Sequence, residues 1–238
     1  MNKYSHFIWD WNGTLFNDVS WCIEVMNTML HKRELAPLTD VQSYHKAFCF
    51  PIIDYYNNIG FDFTAESFET LAEEFIDAYH ANKSGNSKLH INVEDVLVEI
   101  QKSGITQIIL SASKVDNLLS QVREFDIEHY FDAILGLSDV FAKSKVNIGL
   151  NYFAKNNVEK ALVIGDTVHD YEVAMELGAD CVLISSGHQN KEALLACGIP
   201  VLDDISGILT KLKYMDNIRA KCPLKYPYQK KNKYMDTI

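Results

Sequence analysis

The sequence predicts an α/β protein: a parallel β-sheet core flanked by helices, with an all-helical module inserted after the first strand. Three observations carry this reading. Short apolar runs, rich in β-branched and aromatic residues, alternate with amphipathic stretches of helical spacing along most of the chain. Strand alternating with helix implies βαβ units, which close only as a parallel sheet. Between Asn17 and Ser84 the alternation stops and only helical periodicity remains.

The strand-like runs are residues 6–9, 106–110, 133–135, 161–164 and 181–184. Each is too short for a helix and reads as a buried strand. A helix is expected after Asn92, with Val93, Val96, Leu97 and Ile100 on one face and Gly104 as its C-terminal stop. Others are expected over 115–125, over 145–155 and after Asp170. In the inserted module, Cys22, Val25, Met26, Met29 and Leu30 recur at helical spacing. Thr39 and Gln42 have capping-box spacing. Phe68, Leu71, Ala72, Phe75, Ile76 and Tyr79 form a 3.6-residue stripe. The polar stretch 82–88 reads as the return linker. The expected division is a core of residues 1–16 and 85–238 and a helical cap over 17–84.

Composition bounds the function. The chain has 238 residues, of which 47% are hydrophobic and 23% charged, enough for a sizeable buried core. Its net charge of -10 argues against nucleic acid as a partner. Residues 211–238 are an exception: eight Lys/Arg against two Asp give +6, leaving -16 on the rest. This basic C-terminal tail reads first as a solvated helix with a frayed end, and second as a docking segment. Five cysteines, Cys22, Cys49, Cys181, Cys197 and Cys222, have no CxxC or metal-like spacing and fit reduced thiols. Asp10 and Asn12 interrupt any N-terminal apolar signal core, and no apolar run is long enough to span a membrane. The expectation is a cytoplasmic protein.

In parallel sheets, ligands bind beyond the carboxyl ends of the strands, so the residues at those ends are the candidates. The first strand runs into Asp10-Trp11-Asn12-Gly13-Thr14-Leu15, placing a carboxylate at the mouth of the sheet. Gly13 allows a tight turn and a close approach of backbone to ligand. The second strand runs into Ser111-Ala112-Ser113, a hydroxyl and free amides. Lys143 and Lys145 open a helix after the third. Leu162-Val163-Ile164 runs into Gly165-Asp166, with Asp170 four residues on, a spacing that lets both carboxylates face one way from a helical turn. Acids, one lysine and hydroxyls together suit a phosphate bound through Mg²⁺, a hard cation that takes carboxylate oxygens, waters and a phosphate oxygen.

These four motifs, in this order, resemble the haloacid dehalogenase-like hydrolase superfamily, and within it the phosphoglycolate phosphatase-like branch with a helical cap. The resemblance spans roughly residues 4–207. It implies a Rossmann-like parallel core and a phosphoric monoester hydrolase acting with Mg²⁺ on a small phosphorylated metabolite. It further implies that Asp10 attacks phosphorus and forms an aspartyl-phosphate. Asn12 would lend a backbone carbonyl to the metal, and Ser111 and the amide of Ala112 would hold the transferring phosphoryl group. Thr14 would position the nucleophile loop. Lys145 would orient Asp10 and neutralise charge, with Lys143 as the competitor; Lys145 is preferred because the helix begins beside it. Asp166 would ligate the metal, and Asp170 would support it directly or through water.

Asn12 departs from the family's pattern, which has an Asp two residues after the nucleophile to exchange protons with the leaving alcohol and with water. An amide cannot do this, and losing such a group costs on the order of 10²–10⁴ in rate. Three explanations stand: a substrate with an acidic leaving group, such as an acyl or aryl phosphate; a proton from another residue, such as His169 or a cap residue; or weak catalysis, with phosphate binding as the task. A phosphotransferase or mutase is a further alternative. On sequence alone, Asn12→Asp is expected to raise turnover of alkyl phosphates. His169 and His188 read as solvated loop histidines. Tyr44, His45, Lys46 and the turn Cys49-Phe50-Pro51 read as cap surface or packing, and Asn17 as a hinge or helix cap.

Overall fold

The computed structural model describes residues 4–81, 88–137 and 145–210. The central sheet contains β1 (His6–Trp9), β4 (Thr106–Lys114), β5 (Ala133–Leu137), β6 (Ala161–Gly165), β7 (Asp180–Ile184) and β8 (Val201–Leu202). Their order is β5-β4-β1-β6-β7-β8, and every neighbouring pair is parallel. The chain builds outward from β1 on one side through β4 and β5, then crosses back to build β6, β7 and β8 on the other. That reversal opens a crevice at the carboxyl end of β1, between β4 and β6.

Strand alternation sorts side chains into two cores, one on each face of the sheet. Phe7, Trp9, Ile109, Leu162, Ile164, Val182 and Ile184 belong to one face, together with the apolar stripe of α5 (Val93–Lys102) and Leu118 and Val122 of α6 (Val115–Glu124). Ile8, Ile108, Leu110, Val163, Cys181 and Leu183 belong to the other, with α8 (Val168–Leu177), α9 (Lys191–Ala196) and the apolar side of α7 (Lys145–Asn156). Both faces are covered, as a parallel sheet requires. Each fully buried Leu, Ile or Val contributes about 1.5–3 kcal/mol. The α5 stripe is buried as its spacing predicts, and Gly104 ends that helix at φ +73°.

Some expectations are revised. β4 continues past residue 110 to Lys114, because an irregular register between Leu110 and Lys114 lets Ser111–Ser113 stay beside β5. β8 has two residues, too few to show a period. The cap comprises α1 (Val19–Lys32), α2 (Val41–Ala47), α3 (Ile52–Asn58) and α4 (Phe68–Ala81) around their own core of Met26, Met29, Leu30, Tyr44, Tyr55 and Leu71. The α2 capping box is Asp40 with Ser43, not Thr39 with Gln42: Asp40 accepts the Ser43 amide at 2.7 Å, and the Ser43 hydroxyl accepts the Asp40 amide at 3.1 Å. The α4 stripe is only partly used. Leu71 is fully buried, whereas Ile76 is 43% exposed. Asn17 is neither a helix cap nor part of a purely helical module. It pairs with Lys88 in a two-stranded antiparallel ribbon, β2 (Phe16–Asn17) with β3 (Lys88–Leu89), where the chain enters and leaves the cap. The rest of the expected return linker, 82–87, lies outside the described residues. Among the described residues, no helix is long and apolar enough to cross a membrane.

Candidate active site

Asp10 lies one residue beyond β1, with its amide bonded to the Ile164 carbonyl of β6 at 2.8 Å. Lys145, the first residue of α7, reaches it across the sheet edge. The Lys145 Nζ donates to Asp10 Oδ1 at 2.5 Å and to Asp170 Oδ1 at 2.6 Å, and the lysine is 4% exposed. Lys143 lies outside the described residues.

Asp166 and Asp170 converge on the same place, but not from one helical face. Asp166 follows β6, while Asp170 is the third residue of α8, whose N-cap is Thr167. Asp170 Oδ2 folds back to accept the Asp166 amide (3.2 Å), the Thr167 amide (3.1 Å) and the Thr167 hydroxyl (2.7 Å). Its other oxygen is thereby presented to Lys145. Asp166 in turn accepts the Thr14 hydroxyl at 2.8 Å and the His188 amide at 2.7 Å. Thr14, expected beside the nucleophile, is directed to Asp166. Glycine is required on both sides of Asp166, since a Cβ at Gly13 or at Gly187 would clash with Asp166 Oδ2. Gly13 also has φ +74°, a conformation that side chains disfavour. Ser111 and Ala112 reach the same edge through the β1–β4 register, Trp9 opposite Ile109, with the Ser111 hydroxyl accepting the Ser113 amide at 3.1 Å.

The electrostatics are those of crowded acids. Burial pushes the Asp10 carboxyl up to about 7; Lys145 opposes this, and Asp170 and Asp166 reinforce it. Burial also raises Asp166, to about 6, against the pull of His188. At Asp170, burial is outweighed by Lys145 and Thr167, which hold its carboxyl below the usual range. Oxygens of Asp10, Asp166 and Asp170 lie within 4.8 Å of one another. An all-carboxylate donor set of this kind fits a hard cation. Asp18, Cys22 and His188 form a second such group. There the partners already satisfy each other, and burial followed by Asp18 holds the Cys22 thiol far above its ordinary range, so no thiolate is available.

Sequence reasoning missed the layer behind these acids. His188 is buried, not solvated: its Nε2 is 3.0 Å from Asp18 Oδ1 and its Nδ1 is 2.8 Å from the Tyr44 hydroxyl. Burial opposes its protonation, but Asp18 outweighs this and raises the imidazole to about 9. Tyr44 and His45 of α2 are among the cap's contacts with the core, His45 Nε2 donating to the Gly187 carbonyl at 2.8 Å. His169 stays partly exposed, stacked on Phe50, and Lys46 is exposed. Asn12 makes three side-chain bonds: Nδ2 donates to Asp18 Oδ2 (2.7 Å) and to the Tyr79 hydroxyl (3.1 Å), while Oδ1 accepts from Ser113 (2.8 Å).

Comparison with known proteins places the chain in a family. Residues 7–184 match the model of the family described as haloacid dehalogenase-like hydrolase. A phosphoglycolate phosphatase from Caulobacter vibrioides is 26% identical over 188 residues, covering 75% of this chain and 78% of that protein. A predicted phosphatase from Clostridium acetobutylicum has a similar structure, with a TM-score of 0.71 at 20% identity over 89% of this chain and 99% of that one. So does protein tyrosine kinase A (PtkA) of Mycobacterium tuberculosis, with a TM-score of 0.74 at 19% identity over 88% of this chain and 98% of that one. An α/β core with an inserted helical cap, acids gathered at the central strand ends and a family match across three quarters of the sequence lead to one assignment: the chain belongs to the haloacid dehalogenase-like hydrolases.

Proposed function

We propose that the protein is a Mg²⁺-dependent phosphatase that hydrolyses a small phosphate ester through an aspartyl-phosphate on Asp10. The observation that carries the reading is Asp10 itself, a buried carboxylate fixed by Lys145 inside a cluster of three acids at the central strand ends. An Asp10 oxygen attacks phosphorus, and the ester oxygen departs with the bonding electrons. Water then attacks the aspartyl-phosphate, releasing inorganic phosphate and restoring Asp10. Lys145 favours the ionised form of Asp10 against the effect of burial and offsets charge on the phosphoryl group. Ser111 and the Ala112 amide bind phosphoryl oxygens. Asp10, Asp166 and the Asn12 carbonyl hold the cation, with Asp170 supporting it directly or through water. Bound Mg²⁺ supplies positive charge shared between these carboxylates and the phosphate. The Caulobacter relative, a phosphoglycolate phosphatase, supports a small phosphorylated substrate. The free thiols of Cys22, Cys49, Cys181 and Cys197 support a reducing, cytoplasmic setting.

A panel of aryl, acyl and alkyl phosphates tests this. Hydrolysis in Mg²⁺, abolished by EDTA and restored by excess Mg²⁺, is the expected result. No hydrolysis of any ester, with tight binding of one, would establish a binding protein instead. One observation favours a second reading, phosphoryl transfer to a hydroxyl other than water: the Asn12 amide stands where the family places its proton-exchanging acid. Partition of product between water and an added alcohol separates the two.

The metal also has a thermodynamic signature. Free Mg²⁺ at 100 times its Kd is expected to stabilise the fold by about 2.7 kcal/mol, or roughly 5–10 °C in Tm. The shift depends on pH with a definite sign. Asp10 and Asp166 have folded-state values of about 7 and 6, above the ordinary 3.8, so the metal-free fold loses stability as pH rises through that window. Mg²⁺ competes with those protons, so its Tm shift is expected to be small at pH 5 and full at pH 8. An equal shift at both values, measured by scanning calorimetry, would place the cation elsewhere.

A further inference from the structure

Asp18 stands where the nucleophile loop, the cap and the loop after β7 meet, and it is 1% exposed. Its Oδ1 accepts the Gly13 amide at 3.1 Å and pairs with His188 Nε2 at 3.0 Å. Its Oδ2 accepts Asn12 Nδ2 at 2.7 Å and the Tyr79 hydroxyl at 2.7 Å. Tyr79 belongs to α4, and its carbonyl accepts the Trp21 indole of α1 at 3.2 Å. One carboxylate therefore ties both ends of the cap insertion to the loop that carries Asp10.

The side-chain protons of Asn12 and Tyr79 are each assigned in this network, to which the Cys22 thiol adds a longer contact with Asp18 Oδ2 at 3.7 Å. Tyr79 has one hydroxyl proton and donates it to Asp18, so it accepts from Asn12. The two Asn12 amide protons go to Asp18 and Tyr79, and its carbonyl accepts from Ser113. A carboxylate at position 12 would lie against the Asp18 carboxylate without the two N–H groups that Asn12 gives to Asp18 and Tyr79, leaving one tyrosine proton for two acceptors. Buried like charges at such a distance are strongly unfavourable.

We propose that Asn12 and Asp18 are a matched positioning pair. The amide at position 12 is the partner that the carboxylate at 18 requires, and the pair holds the Asp10–Thr14 loop in register with the docked cap. Asn12 is thus the visible half of an exchange in which the acid stands at position 18 as an anchor, not at position 12 as a proton carrier. This revises the expectation drawn from sequence: Asn12→Asp alone breaks the network, whereas exchanging the two side chains restores it and leaves a carboxylate at position 12. The inference rests on the reading of Asp10 as the phosphoryl acceptor.

The test is a four-protein cycle: wild type, Asn12→Asp, Asp18→Asn and the double exchange. Each is assayed with Mg²⁺ on p-nitrophenyl phosphate and on an alkyl phosphate, with urea midpoints measured in parallel. Each single variant is expected to lose about 10- to 100-fold in kcat on the aryl ester with KM changed less than about 3-fold, and the exchange to return within about 3-fold of wild type, the non-additivity of groups sharing one network. On the alkyl ester the exchange is expected to exceed wild type by at least about 10-fold, because its carboxylate at 12 exchanges protons with the leaving group. A merely structural pair would recover stability without this leaving-group split. If the single variants do not fold, Tyr79→Phe, which removes one uncharged donor to Asp18, is expected to lower kcat about 3- to 10-fold with a near-native urea midpoint. Turnover by Asn12→Asp at or above wild type, an exchange no better than the product of the single variants, or an unchanged Tyr79→Phe would each overturn the proposal. Asp10→Asn run alongside separates it from its premise: turnover persisting there defeats the Asp10 reading, whereas a dead Asp10→Asn with an additive cycle defeats the pairing alone.

Discussion

Lys145→Met is expected to remove about 3–5 kcal/mol of folding stability at pH 8, the cost of breaking a buried ion pair from one side, and at least about 10³-fold in turnover. The two losses share a cause. Lys145 Nζ lies within 2.6 Å of both Asp10 and Asp170, and burial alone would drive its charge off; those carboxylates instead hold it above its ordinary range. Methionine matches its length and removes only the cation, leaving three clustered acids without it. The deficit is expected to shrink at pH 5, where Asp10 is protonated in the folded state. Urea midpoints at the two pH values check this. Lys32→Met, which breaks a largely exposed pair with Glu74, sets the scale of an ordinary lysine at under about 1 kcal/mol. A Lys145→Met midpoint no lower than that of Lys32→Met would mean that Lys145 is not the counter-charge of the cluster.

What was legible in the sequence follows from the range of the interactions. The strands β1, β6 and β7, and β4 up to Leu110, were readable because burial on both faces demands continuous apolar runs, β5 by its short apolar run although it is half-buried at the sheet edge, and α5 because one face alone is buried. β2, β3 and β8 have two residues each and exist through partners far along the chain, so no local pattern marks them. The same division runs through the site. Asp10, Lys145, Asp166 and Asp170 each stand at a strand or helix end and announce themselves one by one. Tyr79 and His188 lie 61 and 170 positions from Asp18 along the chain, and the three become a network only when the cap docks. His188 therefore read as a solvated loop residue, and Asn12 as a bare loss of an acid. The fold supplies its context: the missing carboxylate has a counterpart six residues on, and the amide fits it.

Asp10→Asn is expected to pair a complete loss of function with a gain in stability, the opposite stability effect to Lys145→Met. On the proposed mechanism turnover falls by at least about 10⁴-fold, since an amide is a poor nucleophile toward phosphorus and the variant would lack the proposed covalent acceptor. The stability effect follows from linkage. The folded-state Asp10 is held at about 7, above its ordinary 3.8, chiefly by burial and then by Asp170 and Asp166. A raised carboxylate favours the folded state only while protonated, so its ionisation lowers stability as pH climbs from about 4 to 7 and leaves a constant deficit above. Asparagine keeps the shape and removes the charge, at the expense of one of the two bonds to Lys145. The net expectation for the metal-free protein at pH 8 is a gain on the order of 2 kcal/mol over wild type. That gain is expected to vanish by pH 4, where the wild-type carboxyl is neutral too, and to narrow in Mg²⁺, which stabilises the wild-type cluster more than the variant. Metal-free melts of both proteins across that range decide it: a variant less stable than wild type at pH 8 would show that Asp10 is a structural ion-pair partner whose charge the fold welcomes. A stabilised, inactive variant is the mark of a carboxylate kept ionised for chemistry, at a cost to the fold that a bound cation would relieve.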